Sequence, residues 1–234
     1  MRWTLSEISG YSIHGRDGKL GRVLDTYFDD VQWTVRYLAV SGATPDTPRT
    51  FLLAPEVISS TDREFGLISV FLRTAAVHNS PAVSVNKTIP RQEESRLRAY
   101  YGWPNYWPAQ SAAAQTTADP RLLSLEEIMG YRVLAGEEDI GPLIDLVIDD
   151  HTWQIHFLEV DASRWLPAGR VWIRADCIRQ LRAAKKQIAL NIRRELVRDG
   201  LKSGLQADWT PDGPTVALAD THAASRLPAW TPSL

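Results

Sequence analysis

The chain repeats itself without a gap at an offset of 120 residues, so that Leu5, Glu7, Ile8, Gly10 and Tyr11 return as Leu125, Glu127, Ile128, Gly130 and Tyr131. Gly21, Asp25, Asp29, Asp30 and Trp33 return as Gly141, Asp145, Asp149, Asp150 and Trp153. Further on the match is one of pattern, with Ile68, Val70 and Leu72 facing Ile188, Leu190 and Ile192. An offset this long means duplication of a whole domain, not a solenoid. What repeats is turn chemistry and hydrophobic alternation, without a set of nucleophiles, bases or metal ligands.

The 234 residues therefore divide into two copies, each with a clear pattern over roughly 75–80 residues, a size at which one core is only marginally stabilising. A formal net charge of −2 gives no general attraction to nucleic acid or anionic lipid. The single cysteine, Cys177, excludes an internal disulfide and a multi-cysteine zinc site, and its alternating apolar surroundings mark it as a small buried hydrophobe. The N-terminal residues hold no long apolar stretch, which speaks against a signal peptide, and no window approaches the roughly 18 to 20 apolar residues of a membrane span. A cytoplasmic location is expected, with any contact to the inner face of a membrane peripheral.

In each copy, short runs rich in β-branched and aromatic residues lie between Gly, Pro and Asp turns, the pattern of strands. In the first copy they cover 11–13, 22–28, 34–40, 50–53, 56–59 and 67–72; in the second, 131–133, 142–148, 154–160, 170–173, 177–181 and 187–192. About six short strands per copy predict an all-β fold of two tandem small barrels, since closure leaves no open edge. Between the copies, Thr88, Pro90, Glu93 and Glu94 predict a helix start and Gly102 and Pro104 its end, with an amphipathic helix over 91–101. The expected domains are a barrel at 1–80, a helix, aromatic segment and linker at 81–120, a second barrel at 121–200 and an irregular tail at 201–234. The linker proper is 109–119, and Trp209 and Trp230 are expected to dock the tail on a barrel.

The Gly-x-x-x-Asp strand ending in Asp-Asp, at Gly21 to Asp30 and Gly141 to Asp150, resembles the PRC-barrel domain. So do the opening Leu-x-Glu-Ile-x-Gly-Tyr at 5–11 and 125–131 and the Pro-Glu-Val at 55–57. That family includes the cytoplasmic domain of the photosynthetic reaction-centre H subunit and the C-terminal domain of the ribosome-maturation protein RimM. The segment from Ile89 to Trp107 looks like one that follows the barrel in free-standing bacterial members. The resemblance covers roughly 1–107 and, less closely, 121–200. It implies six-stranded barrels that serve protein contacts or assembly, no enzymatic activity, no cofactor, and a partner such as a membrane-bound reaction-centre-like complex.

The pairs Asp29-Asp30 and Asp149-Asp150 read as turn structure, since a cation site needs more oxygen ligands at regular spacing. His14, His78, His151, His156 and His222 form no ligand pair at metal-binding spacing. The cluster Tyr100, Tyr101, Trp103, Tyr106 and Trp107 is the leading protein-binding candidate, either wedged between the barrels or exposed as an anchor. The second copy is acidic before Asp161 and basic after Arg164; Arg179, Arg182, Lys185 and Lys186 supply the alternative reading, RNA or ribosome-assembly binding through phosphates. Self-association or a protein partner is favoured over nucleic acid.

Overall fold

The structure is a computed structural model that describes residues 2–42, 49–81, 83, 89–107, 122–166 and 169–197. Thr88, the linker at 109–119, and the tail at 201–234 with Trp209, His222 and Trp230 lie outside the described residues. In chain order the elements are β1 (Arg2–Thr4), α1 (Leu5–Ile8), β2 (Ser12–Gly15), β3 (Gly18–Asp29), β4 (Thr34–Gly42), β5 (Thr50–Leu53), β6 (Ile58–Asp62), β7 (Leu67–Val70), α2 (Thr74–His78) and α3 (Arg91–Tyr101). Then come β8 (Leu122–Ser124), α4 (Leu125–Ile128), β9 (Arg132–Ala135), β10 (Glu138–Asp149), β11 (Ile155–Asp161), β12 (Arg170–Arg174), β13 (Ile178–Arg182) and β14 (Gln187–Leu190).

The chain forms two compact units, one of Leu5–Glu127 with His151–Gln154, the other of Met1–Thr4, Ile128–Asp150 and the chain from Ile155 onward. Each is built on a mixed sheet of seven strands. The first runs β5-β4-β3-β2-β7-β6 with β8 added on β3; the second runs β12-β11-β10-β9-β14-β13 with β1 added on β10. Six strands in each sheet are the ones expected from the copy's own sequence. The seventh is borrowed: Leu122–Ser124 completes the sheet of the first copy, and Arg2–Thr4 that of the second. The registers repeat the sequence offset, with Leu122 opposite Asp29 and Arg2 opposite Asp149.

Two runs expected as strand from their first residue open instead with 3-10 turns, Pro55–Val57 and Ala175–Cys177. Pro55 has no N–H to give a ladder and its fixed φ suits the first position of a helical turn. The ladders then start at Ile58 and Ile178.

Burial along β3 explains its length. Val23 is buried between exposed Arg22 and Leu24, the pattern of a strand wet on one face, but Thr26, Tyr27, Phe28 and Asp29 are all buried. Both faces are covered from Thr26 onward. Across β3, β4 and β5, Tyr27, Tyr37, Ala39 and Leu52 form one apolar face, and Val83, Ile89 and Leu97 cover it. Gly21 and Gly141 sit where a Cβ would overlap the backbone carbonyls of Ser41 and Asp161, so only glycine lets those strands approach.

Candidate interaction site

α3 is the helix that seals the first unit's sheet, and its sequence explains both of its ends. Pro90 has extended dihedrals before the first turn, Glu93 and Glu94 lie at the positive end, and Gly102 ends the helix at φ 70°. The Gly102 N–H donates to the Ala99 carbonyl and the Trp103 N–H to that of Arg98, closing the last turn. Glu94, Leu97, Arg98 and Tyr101 follow the spacing of one helical stripe. Glu94 and Arg98, each 1% exposed, go inward beside Leu97 at 0%. This inward charge was the feature missed in the sequence, although both residues lie on the stripe that carries Leu97 and Tyr101.

The two charges are held by a network. The Tyr37 hydroxyl donates to Glu94 Oε1 at 2.9 Å, and Arg98 Nη1 donates to the Tyr37 hydroxyl at 3.1 Å. Arg98 Nε donates to the Pro104 carbonyl at 2.8 Å and its Nη2 to Glu56 Oε1 at 2.9 Å. Arg91 Nη1 pairs with Glu94 Oε2 at 2.7 Å and donates to the Tyr106 hydroxyl at 3.3 Å. Burial pushes the Glu94 carboxyl up, against the pull of Tyr106, Arg91, Tyr37 and Arg98. Burial also drives the Tyr37 and Tyr106 phenols far above their ordinary value, so both remain protonated donors.

The five aromatic candidates are largely used inside this unit. Tyr101 and Trp103 stack at 4.2 Å between centroids and pack against the covered face. Tyr106 lies 3.9 Å from the Arg36 guanidinium, and Trp107 lies 4.1 Å from that of Arg91. Tyr100 is the exposed member, at 42%, and its hydroxyl donates to the Ala76 carbonyl. Phe65, on the turn between β6 and β7, is more open at 76%, and Val31 and Phe71 are exposed as well. The alternation reading gave Phe65 no role, because a lone aromatic in a polar turn carries no periodic signal.

Asp29 is fully buried and spends its carboxylate on the hairpin: Oδ1 accepts from the Val31 and Gln32 N–H groups, and Oδ2 from Arg36 Nε at 2.7 Å. Asp30, Asp149 and Asp150 are half-buried and engaged too. Trp33 and Trp153 follow the two turns at φ 51° and 58°, and Trp33 stacks on Phe28 at 5.5 Å. Among the described residues, no three His, Cys, Asp or Glu side chains come together as a metal site. The Cys177 thiol is buried and pushed up to about 12, chiefly by that burial, and so stays a protonated thiol at neutral pH.

The second unit carries two features of note. Arg179, Arg182, Lys185 and Lys186 are brought together on the β13–β14 hairpin, with Arg179, Lys185 and Lys186 exposed and Arg182 half-buried. Asp145 and Glu159 lie directly opposite each other on β10 and β11, both buried, and Arg170 Nη1 donates to Glu159 Oε1 at 2.8 Å. Burial raises the Glu159 pKa, Arg170 opposes that rise and the Asp145 charge adds to it. No helix among the described residues is long and apolar enough to cross a membrane. No protein-family model matches the chain, and none of the curated proteins matches it significantly.

Proposed function

We propose that this chain is a non-enzymatic assembly module of two PRC-type barrels, which joins to itself or to a protein partner, the partner class being a reaction-centre-like or other membrane-bound complex. The barrel reading draws on the ends of each strand path. β5 and β6 stand at opposite ends of a six-strand order, yet Leu53 and Ile58 are joined by four residues. A flat sheet would set those edges roughly 24 Å apart at its strand spacing, whereas five residue steps reach at most about 18 Å. That short link supports a curled sheet. The same holds for β12 and β13, joined by Ala175–Cys177.

The observation that carries the functional reading is the borrowed seventh strand. Each sheet presents an edge, at Tyr27–Asp29 and at Val147–Asp149, that accepts a strand from outside its own copy. Strand lending is the means by which two protein segments assemble on a sheet. The repeated residues support this reading, because Gly21, Asp29 and Trp33 serve close strand approach and turns. Phe65 is the exposed apolar residue best placed for a partner.

The test is capture of a defined protein from native membrane and soluble fractions by the full chain, alongside its mass in solution. Phe65→Ser is expected to lower capture about tenfold, the 1.4 kcal/mol scale of a good interface side chain. A chain that remains monomeric at high concentration and captures nothing overturns the reading. The RNA alternative rests on the basic β13–β14 hairpin. It requires salt-dependent RNA binding that charge reversal at Arg179, Arg182, Lys185 and Lys186 abolishes, and it falls if low salt gives no binding.

A further inference from the structure

We infer that the second unit carries a lysine-binding recess, and that its occupant is the basic β13–β14 hairpin of another copy of this chain. This deepens the assembly reading and rests on it, naming the partner and the two surfaces that meet.

The sheet order places those surfaces. β14 runs parallel to β9, with Gln187 opposite Arg132 and Leu190 opposite Ala135. The β13–β14 turn, with Lys185 and Lys186, therefore lies where β9 begins, and the β9–β10 turn at Gly136 and Glu137 lies where β9 ends. One end of the sheet is basic and the other acidic. From Lys186 to Leu190 the strand advances by about 13 Å, farther than a lysine side chain spans. The hairpin cannot serve the far end of its own sheet, so the occupant comes from a second molecule.

The acidic end contains a recess of about 210 Å³, lined by Glu138, Trp165, Arg194 and Glu195. The Trp165 indole N–H donates to the Ile140 carbonyl at 2.7 Å, which fixes the ring as one wall. The Arg194 guanidinium lies 4.4 Å from that ring, and its Nη1 is 3.7 Å from Glu138 Oε1. This loose pair leaves the Glu138 side chain 51% exposed. Glu195 is exposed and has no ion-pair partner among the described residues. Two carboxylates against one guanidinium leave the recess negative. An indole beside carboxylates suits an alkyl stem that ends in an ammonium, which is the form of a lysine side chain.

The basic end supplies it. Arg179, Lys185 and Lys186 are exposed and have no carboxylate partner among the described residues. Arg132, Arg170 and Arg174 each have one. The first copy shows that the fold does not require these charges, since Ser59, Phe65 and Gly66 stand where the second has Arg179, Lys185 and Lys186. At the other turn Asp17 replaces Glu137, and its carboxylate is spent on the Thr74 N–H at 2.7 Å and hydroxyl at 2.8 Å.

Sedimentation velocity of the full chain at low and high salt tests the inference. The parent is expected to self-associate at low salt and to separate as salt screens the charges. Lys185→Glu with Lys186→Glu should weaken association about tenfold or more, as should Glu138→Lys with Glu195→Lys. An equal mixture of these two variants should pair again, because the intact recess of one meets the intact hairpin of the other. Amide exchange in 155–161 checks that each variant keeps its sheet. Monomers at low salt, association that ignores both reversals, or folded variants that fail to pair when mixed overturn the inference. Association that nuclease treatment removes assigns the hairpin to RNA and overturns it too. A chain that stays monomeric yet captures a membrane-fraction protein overturns this inference and leaves the assembly reading standing.

Discussion

Arg98→Ala tests whether the polar network fastens α3 to its sheet. The substitution removes charge-assisted hydrogen bonds to the Pro104 carbonyl and the Tyr37 hydroxyl in a buried setting. It also removes an ion pair to Glu56, whose side chain is half exposed and contributes little. Hydrogen bonds to a charged group contribute about 1.5–3 kcal/mol each. With both of these bonds lost from a buried guanidinium, and with Glu94 still paired to Arg91, a loss of about 3–5 kcal/mol is expected. With a urea dependence of about 2 kcal/mol per molar, the unfolding midpoint falls by about 2 M. Arg98→Lys keeps the charge but not the fork, and should lose about half as much. Two units require an assay that separates them, so amide exchange is followed in 91–101 for the first and in 155–161 for the second. A loss below about 1 kcal/mol, or an equal loss in both segments, refutes the role given to Arg98.

Gly21→Ala and Gly141→Ala should each disrupt their own sheet, costing about 4 kcal/mol or more because the new Cβ meets a backbone carbonyl that cannot move aside. Gly136→Ala serves as the control: its surroundings are open and only its φ of 67° is strained, so thermal melting should show about 1 kcal/mol. Glu159 gives a pH signature. Its folded pKa is raised, so the folded state holds the proton more tightly than the unfolded chain; the associated stability is complete below the ordinary carboxyl range and fades as pH rises through the raised value. Glu159→Gln should flatten that decline in urea midpoints measured from pH 4 to 8, and an unchanged slope would exclude Glu159 as its source.

The twelve strands belonging to the copies themselves were legible because alternation and punctuation agree: Gly21 and Asp29 bound one run, and Pro90 and Gly102 bound α3. The hairpin role of Asp29 was legible for the same reason, since a carboxylate at a tight turn finds local N–H donors. β1 and β8 were not legible. Three residues such as Arg2-Trp3-Thr4 show no period, and the pairing partners of β1 and β8 lie between 93 and 147 positions away. The inward turn of Glu94 and Arg98 was hidden by chemistry: a charged pair at four-residue spacing looks solvated unless the Tyr37 hydroxyl that receives it is known. The dispersal of the aromatic cluster among Arg36, Arg91 and the sheet also depends on tertiary partners far along the chain.

The borrowed strands bear on the order in which this polypeptide can mature during synthesis. Residues 5–107 emerge from the ribosome well before Leu122–Ser124, so the N-terminal sheet must wait, one edge bare, for a strand not yet translated. Arg2–Thr4, made at the outset, finds its place only once Val147–Asp149 has appeared. Damage at the start of the chain is thus felt in the sheet encoded last.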